Sequence, residues 1–249
     1  MFISDSYFAI GNTHIRSGKP CQDYAIAKVV PDRAIAIVVD GCSSGGITDF
    51  GARLIAHSLL CGHYLIPTLP HYLYKFGLTW NDMLATYIRA TIEPWGSEVL
   101  FFGDGCAVIN YGDHSEFIRI NYESNAPYYF VYHLNGKYDD YLSMQEGKRI
   151  TLTIANGTDI SVRELTPEET SKGILVKLEH EPLSITIFSD GVCSFSGMEW
   201  IDVCKELTAF KNTSGSYLKR RMSKAIQDFN KSDVKMLDDI AGAGLHIMR

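Results

Sequence analysis

Three short apolar runs in this chain of 249 residues each end in Asp-Gly. Their aspartates are Asp40, Asp104 and Asp190. A short, continuous apolar run is typical of a strand that is buried on both faces. Each carboxylate is therefore expected where a core strand emerges, at a site that all three can share. Carboxylates that converge in this way need cations between them.

Asp-Gly is also a favoured hairpin turn, so each pair taken alone has a purely structural explanation. Asp40 and Asp190 are not followed by the alternating strand that a two-residue hairpin requires. Asp104-Gly105 is followed by such a strand, at residues 106–109. The turn interpretation is therefore weakened for two of the aspartates and stays open for Asp104.

Composition and charge exclude several classes of protein. The net charge is −6, and no Lys/Arg cluster exceeds Lys219-Arg220-Arg221, so no nucleic-acid or anionic-membrane surface is expected. The six cysteines include no Cys-x-x-Cys pair, which predicts neither a disulfide framework nor a zinc site. Without a signal peptide or a membrane-spanning run, the protein is predicted to be cytoplasmic.

The hydrophobic periodicity predicts an α+β fold. Strands are expected at residues 7–11, 24–30, 34–39, 98–102, 106–111, 116–121, 149–155, 161–165, 174–178, 183–188 and 240–247. Helices are expected at 47–65, which ends before Pro67 and Pro70, and at 81–92, 197–210 and 216–229. The strands at 98–121 look like a β-meander. Two antiparallel sheets packed together with helices outside, a four-layer α-β-β-α sandwich, are the most economical arrangement.

No low-complexity linker divides the chain, so residues 1–249 are expected to form a single domain. Residues 122–148 form a Tyr-rich, irregular stretch within it. These aromatic side chains could belong to a core insert, or to a surface flap that contacts a partner.

Further acids occupy predicted strand ends: Asp23 precedes an early strand, and Asp238-Asp239 precede the last one. Mg²⁺ and Mn²⁺ take oxygen ligands and accept only a few carboxylates each. Four or five carboxylates therefore suit two or three such ions.

The order of these motifs resembles that of the PP2C-type (PPM) metal-dependent Ser/Thr protein phosphatases, particularly the compact bacterial members. The motifs are Gly11-x-x-His14, Pro20-Cys21-Gln22-Asp23, Asp40-Gly41, Gly103-Asp104-Gly105, Asp190-Gly191 and Asp238-Asp239. The resemblance extends from about residue 7 to residue 247. Each motif is weak alone, but together they are fairly specific.

The resemblance implies that Asp40 bridges two metal ions and that the carbonyl of Gly41 completes one of them. Asp190 and Asp238 would ligate the second ion, and Asp104 would hold a third together with Asp190. Asp23 resembles the acid that holds metal-bound water in place. A hydroxide shared by two Mn²⁺ or Mg²⁺ ions would attack the phosphorus of a phosphoserine or phosphothreonine directly, without a phosphoenzyme.

Three departures from the family pattern affect this assignment. Gln22 replaces a common Glu, which removes a negative charge near the water network. Cys42 replaces the His that protonates the leaving group in some relatives, so His14 or a water on the third ion would have to serve. The phosphate-binding Arg has no clear match, and the candidates are Lys19 and Arg16.

The sequence therefore predicts an enzyme that acts on phosphoproteins and is paired with a Ser/Thr kinase. The alternatives are a pseudophosphatase that binds a partner through the Tyr-rich insert, and a phosphatase for a small phosphorylated molecule. A degenerate member would be expected to lose one of Asp40, Asp190 and Asp238, and all three are present. A thiol mechanism at Cys42 is disfavoured because the chain lacks the loop and Arg of a cysteine phosphatase.

Overall fold

The protein is described by a computed structural model that covers residues 1–62 and 65–248. The strands are β1 (Phe2–Ala9), β2 (Asp23–Val30), β3 (Arg33–Gly41), β4 (Ala85–Glu93), β5 (Gly96–Phe102), β6 (Gly105–Asn110), β7 (Ser115–Tyr122), β8 (Ile150–Asn156), β9 (Asp159–Leu165), β10 (Ile174–Leu178), β11 (Ser184–Phe188), β12 (Phe195–Ser196), β13 (Lys235–Met236) and β14 (Ile240–Ile247).

The helices are α1 (Asn12–Ser17), α2 (Thr48–Leu60), α3 (Leu65–Phe76), α4 (Tyr132–Asn135), α5 (Tyr138–Gln145), α6 (Pro167–Ser171), α7 (Trp200–Thr208) and α8 (Tyr217–Lys231). Two short 3₁₀ turns cover Trp80–Met83 and Asp190–Cys193. Within the described part of the chain, no helix is both long enough and apolar enough to span a membrane.

Two large antiparallel sheets carry the fold. The first has seven strands in the order β1-β14-β11-β6-β7-β8-β9, and the second has five in the order β10-β5-β4-β3-β2. The apolar runs of the sequence form buried strands such as β3 and β11, because strands covered on both faces need apolar side chains at every position.

Helices cover the outer faces of both sheets. The helix α2 buries Ala52, Ile55 and Ala56 and packs against β2 and β3 of the five-stranded sheet. The helices α7 and α8 bury Leu207 and Met222 in a cluster with side chains of the seven-stranded sheet. The predicted four-layer α+β sandwich is therefore confirmed.

The helix predicted at residues 81–92 is wrong, because this segment forms a 3₁₀ turn followed by β4. β4 pairs with β3 on one side and β5 on the other, and it contains the β-branched residues Thr86, Ile88 and Thr91. A strand in the middle of a sheet accommodates β-branched side chains well, and this outweighs the helical spacing of the apolar residues in the segment.

The helix predicted at 47–65 ends earlier, at Leu60, and Pro70 lies inside α3 instead of beyond a helix end. Residues 63–64, which precede the predicted end, lie outside the described residues.

The meander predicted at 98–121 is wrong at its first step, because β5 and β6 belong to different sheets, whereas β6 and β7 pair antiparallel as predicted. The chain crosses from one sheet to the other through Gly103 and Asp104, so Asp104-Gly105 is not a hairpin turn. Gly103 has a φ of 108°, and a Cβ there would lie 2.3 Å from the Thr86 Cγ2 atom. A residue with a side chain would therefore be excluded from this crossing by both strain and crowding.

Candidate metal centre

Four acidic side chains from separate elements line one cavity of about 500 Å³. Asp40 lies at the end of β3, and Asp104 lies in the crossing between the sheets. Asp190 begins the 3₁₀ turn after β11, and Asp238 directly precedes β14. The seven-stranded sheet therefore supplies Asp190 and Asp238, and the five-stranded sheet supplies Asp40.

Asp23 lies beside this group, at the start of β2, where it is the cross-strand partner of Asp40. It is buried, and one of its carboxylate oxygens accepts a hydrogen bond of 2.5 Å from the Ser189 hydroxyl. The Ser189 oxygen in turn accepts from the Ala241 backbone N–H at 2.9 Å. Asp23 is thus fixed by a hydrogen bond that joins the two sheets.

The electrostatics of the group oppose ionisation. Burial raises the pKa of Asp23 and Asp40, and the negative charges of their acidic neighbours raise it further. Burial and the charge of Asp190 raise the pKa of Asp104 to about 8. The pKa of Asp190 is raised as well, mainly by burial.

Among the described residues, none of these five carboxylates forms an ion pair with Lys or Arg. The Oδ1 atom of Asp104 is buried without a hydrogen-bond partner in the described structure. Buried carboxylates that lack a countercharge are unfavourable unless a cation joins them. The donor set consists of oxygen atoms, which fits Mg²⁺ or Mn²⁺. Gly41 is buried at the end of β3 beside Asp40, and its N–H donates to the Gln22 carbonyl at 3.2 Å.

His14 and Asp239 form a buried pair next to Ser43, one of the residues that line the cavity. The His14 Nδ1 atom lies 2.8 Å from the Asp239 carboxylate, which also accepts from the backbone N–H groups of Gly11 and Gln22, both at 2.7 Å. The other ring nitrogen of His14 lies 3.3 Å from the Ser43 hydroxyl. Asp239 therefore orients His14, whose other ring nitrogen contacts Ser43, a residue that lines the cavity.

His14, Asp238 and Asp239 also lie close enough to form a three-residue cluster of metal-ligating type. Hydrogen bonds from Gly11, Gln22 and His14 occupy three of the roughly four acceptor sites of the Asp239 carboxylate, so we interpret Asp239 as a structural anchor and not as a ligand. Asp239 lies in a motif of the sequence, but the resemblance assigned no role to it. The Gly-x-x-His and Asp-Asp patterns did contain both members of the pair.

The two candidate phosphate-binding side chains differ in position. Lys19 is exposed, and its Nζ atom donates to the Ser43 carbonyl at 2.9 Å, which brings it to the loop at the cavity edge. Arg16 is exposed on α1 and is not among the residues that line the cavity.

The loop at residues 42–46 is held from two sides. On one side, Gln22 Nε2 donates to the Thr48 hydroxyl at 2.6 Å, and Thr48 donates to the Cys42 carbonyl at 3.1 Å. Gln22 thus braces the loop that follows Asp40.

On the other side, the buried carboxylate of Asp82 accepts from Ile47 N at 2.5 Å, Thr79 N at 2.6 Å and the Thr79 hydroxyl at 2.8 Å. Burial alone would raise the pKa of Asp82, but these hydrogen bonds outweigh it and hold the pKa below its ordinary value. The sequence did not predict this brace, because Asp82 fell inside a wrongly predicted helix.

The Tyr-rich stretch between β7 and β8 contributes to both a packed interior and the cavity wall. Tyr128 and Tyr141 are fully buried with ring centroids 4.7 Å apart, and the Tyr141 hydroxyl lies 2.7 Å from that of Thr170. Tyr129 and Tyr132 line the same cavity as the acids. Burial, together with the nearby Cys42 and the acids, raises the pKa of Tyr129, so its hydroxyl stays protonated.

A family model described as protein phosphatase 2C matches residues 10–65. Among solved structures, the Ser/Thr phosphatase Stp1 from Staphylococcus aureus is 13% identical with a TM-score of 0.56, over 100% of this chain and 96% of that one. The S. agalactiae Ser/Thr phosphatase is 15% identical with a TM-score of 0.53, over 100% of both chains.

A solved structure of the PP2C phosphatase domain of SpoIIE from Bacillus subtilis, with a fragment of its regulatory domain, also matches. Its sequence is 12% identical to this chain, and the TM-score is 0.53. It is matched over 99% of this chain, which spans 64% of that chain's length. No curated protein matches this chain in sequence. Fold, motif order and the matched N-terminal segment agree, and the chain therefore has the PP2C fold and resembles the bacterial PP2C-type Ser/Thr phosphatases.

Proposed function

We propose that this protein is a metal-dependent phosphatase that hydrolyses phosphoserine and phosphothreonine in proteins. The observation that carries the proposal is the convergence of Asp40, Asp104, Asp190 and Asp238 on one cavity, without an ion pair to Lys or Arg among the described residues. The six cysteines are free thiols, which supports a reducing compartment such as the cytoplasm. A Ser/Thr kinase would supply the phosphorylated substrates.

The chain's own residues have distinct tasks in this proposal. Asp40, with the carbonyl of Gly41, and the pair Asp190 and Asp238 would hold two Mn²⁺ or Mg²⁺ ions, and Asp104 would hold a third. When bound, such ions lower the pKa of water and neutralise charge on the phosphoryl oxygens. Asp23 is fixed by Ser189 and would orient the attacking water next to Asp40.

We assign the proton for the leaving oxygen to His14. Asp239 accepts from Nδ1, so the opposite nitrogen, Nε2, is directed to Ser43 at the cavity edge. A protonated Nε2 could donate to the serine or threonine oxygen as the P–O bond breaks. Lys19 would supply positive charge at the same edge, next to Ser43.

The rival functions place different demands on the acids. A pseudophosphatase that only binds a partner has no need of converging, mutually repelling carboxylates, which destabilise the fold when no cation is present. A phosphatase for small molecules would use the same acids. It would differ from a protein phosphatase in its preference among substrates.

The test is a hydrolysis assay on the full chain with a phosphothreonine peptide, p-nitrophenyl phosphate and small phosphate monoesters. We expect turnover of the peptide with Mn²⁺ or Mg²⁺ and none in excess EDTA. Full activity in EDTA would contradict the proposal. A preference for the small esters over the peptide would favour the small-molecule phosphatase.

Two variants and a matched control sharpen the assay. Asp40→Asn should abolish turnover while the protein stays folded, whereas Asp139→Asn, an exposed acid on α5, should leave turnover unchanged. His14→Gln should slow hydrolysis of the peptide more than that of p-nitrophenyl phosphate, whose phenolate leaves without protonation. Near wild-type turnover of Asp40→Asn would refute the assignment of Asp40.

A further inference from the structure

The strand β9 forms an uncovered edge of the seven-stranded sheet. It pairs with β8 on one side, and no other described strand pairs with it. Its first six residues are exposed, including the apolar Ile160 at 62% and Val162 at 58%. Exposed apolar edge strands are usually avoided in monomeric proteins, because they offer unpaired backbone groups to other chains. We call residues 159–165 the β9 edge.

The hairpin geometry determines which backbone groups of the β9 edge face outward. β8 and β9 are joined by a two-residue loop that is closed by the pair Asn156 and Asp159. Closing pairs of such loops are hydrogen-bonded, and hydrogen-bonded pairs alternate with non-bonded ones along the ladder. The N–H and C=O groups of Ile160, Val162 and Glu164 therefore point away from β8.

The apolar side chains of the β9 edge continue a buried row of the sheet. Across the sheet, Ile160 of β9 lies next to Ala155 of β8. Ala155 lies next to Phe117 of β7, and Phe117 lies next to Val108 of β6. The last three are buried in the cluster beneath α7 and α8. The row thus runs from the core to the edge and ends on an exposed Ile160, where another strand would extend it.

The β9 edge is complementary to itself. In an antiparallel pair centred on Ser161, Ile160 of each copy faces Val162 of the other, and Asp159 of each faces Arg163 of the other. Ile160 and Val162 both have outward-facing backbone groups, so each such pair exchanges hydrogen bonds in both directions. The two apolar pairs form one cluster. The Asp159–Arg163 pairs lie on the opposite face of the sheet, where each Arg163 also donates to Glu169 of its own chain at 2.7 Å.

The neighbouring register is less favourable. A pair centred on Val162 also uses the outward-facing groups, but it places Ile160 opposite Glu164 and Asp159 opposite Leu165. Both pairings set an apolar side chain against a carboxylate. The Ser161-centred register is thus the one that matches apolar with apolar and acid with base.

We propose that the β9 edge is an interface at which two copies of this chain pair antiparallel in the Ser161-centred register. The two seven-stranded sheets then become one continuous sheet, and the two acidic cavities belong to one dimer. The interface is small, so a weak, concentration-dependent dimer is expected. This inference does not depend on the phosphatase activity.

Charge exchange at the interface tests both the dimer and its register. In Asp159→Arg, the introduced Arg faces Arg163 of the second copy, and in Arg163→Asp, the introduced Asp faces Asp159. Each variant alone should be monomeric. An equimolar mixture should form a heterodimer, because every facing pair is then of opposite charge. Sedimentation velocity and light scattering at micromolar concentrations give the mass in each case.

Two further variants separate this interface from other causes. Val162→Lys changes an exposed side chain, so it should fold normally and be monomeric. Leu175→Lys is the matched control, since Leu175 is an exposed apolar residue on the edge strand β10 of the other sheet, and it should leave the dimer intact. A wild-type protein that is monomeric throughout the concentration range overturns the proposal. So does a mixture of the two charge variants that stays monomeric.

Discussion

Asp104→Asn removes one buried carboxylate with almost no change of shape. In the metal-free protein, burial and the charge of Asp190 raise the pKa of Asp104 to about 8, from an ordinary value of 3.8. The native state therefore holds a proton on Asp104 that the unfolded chain has released. The free energy of unfolding is therefore undiminished by this group below about pH 4, and it falls as the pH rises toward 8.

The size of the effect follows from the difference between the two pKa values. At pH 7 the pH lies about 3 units above the pKa of Asp104 in the unfolded chain. At ~1.4 kcal/mol per unit, protonating Asp104 on folding then costs roughly 4 kcal/mol. This is an upper bound, because water that enters the cavity relieves part of the desolvation. We expect Asp104→Asn to raise the free energy of unfolding of the metal-free protein by about 1–4 kcal/mol at pH 7. Each kcal/mol corresponds to roughly 2–4 °C in Tm for a chain of this size.

Thermal unfolding in EDTA from pH 5 to pH 8 measures this effect. The difference between the variant and the wild type should widen as the pH rises, and Asp139→Asn should show no such trend. Added Mn²⁺ should raise the wild-type Tm, because the ion binds only the native state, and should raise the variant's Tm by less. The variant should also lose more activity on a phosphothreonine peptide than on p-nitrophenyl phosphate.

A variant that is less stable than the wild type in EDTA at pH 8 would refute a raised pKa of Asp104. Equal losses on both substrates, together with a lowered Tm, would show instead that Asp104 stabilises the crossing between the sheets.

Three further changes test other parts of the site. Cys42→Ser should keep most of the activity, and a complete loss or a trapped phosphocysteine would favour a thiol mechanism. Asp82→Ala should lower the free energy of unfolding at pH 7 by about 3 kcal/mol, since it leaves three donors without a charged acceptor. Because the Asp82 pKa is lowered, the difference in unfolding free energy between the variant and the wild type should shrink as the pH falls below about 4. Urea unfolding at pH 7 and pH 3 measures this difference, and an equal difference at both pH values would contradict the lowered pKa. Gly191→Ala should destabilise the protein by about 3 kcal/mol in the same assay, because its Cβ would lie 1.7 Å from the Asp239 carbonyl oxygen, and an unchanged midpoint would contradict the close packing.

Patterns that depend on burial alone were predicted well from the sequence. The run that ends at Asp40 forms β3, and the run that ends at Asp190 forms β11, because both strands are buried on two faces. β4 was missed because Ile88, Ile92 and their neighbours also fit a helical period, and only its pairing with β3 and β5 decides the outcome.

In the candidate site, too, local sequence patterns were predicted and long-range contacts were not. The acids at strand ends were predicted because each lies within two residues of an apolar run. The contacts that fix them were not, since Ser189 reaches Asp23 and Asp239 reaches His14 across long sequence separations. The Asp104-Gly105 turn stayed open for a related reason. Its flanking strands look like a hairpin, and nothing local shows that they belong to different sheets.

The hydrogen bond between Ser189 and Asp23 joins the two sheets before any ion arrives. The candidate metal centre is complete only when both sheets are docked, since neither supplies all the acids. Ion binding would thus report on the last stage of folding, the docking of the sheets, and not on the formation of either sheet. A luminescent or paramagnetic ion added during refolding would time that event separately from the appearance of strand structure.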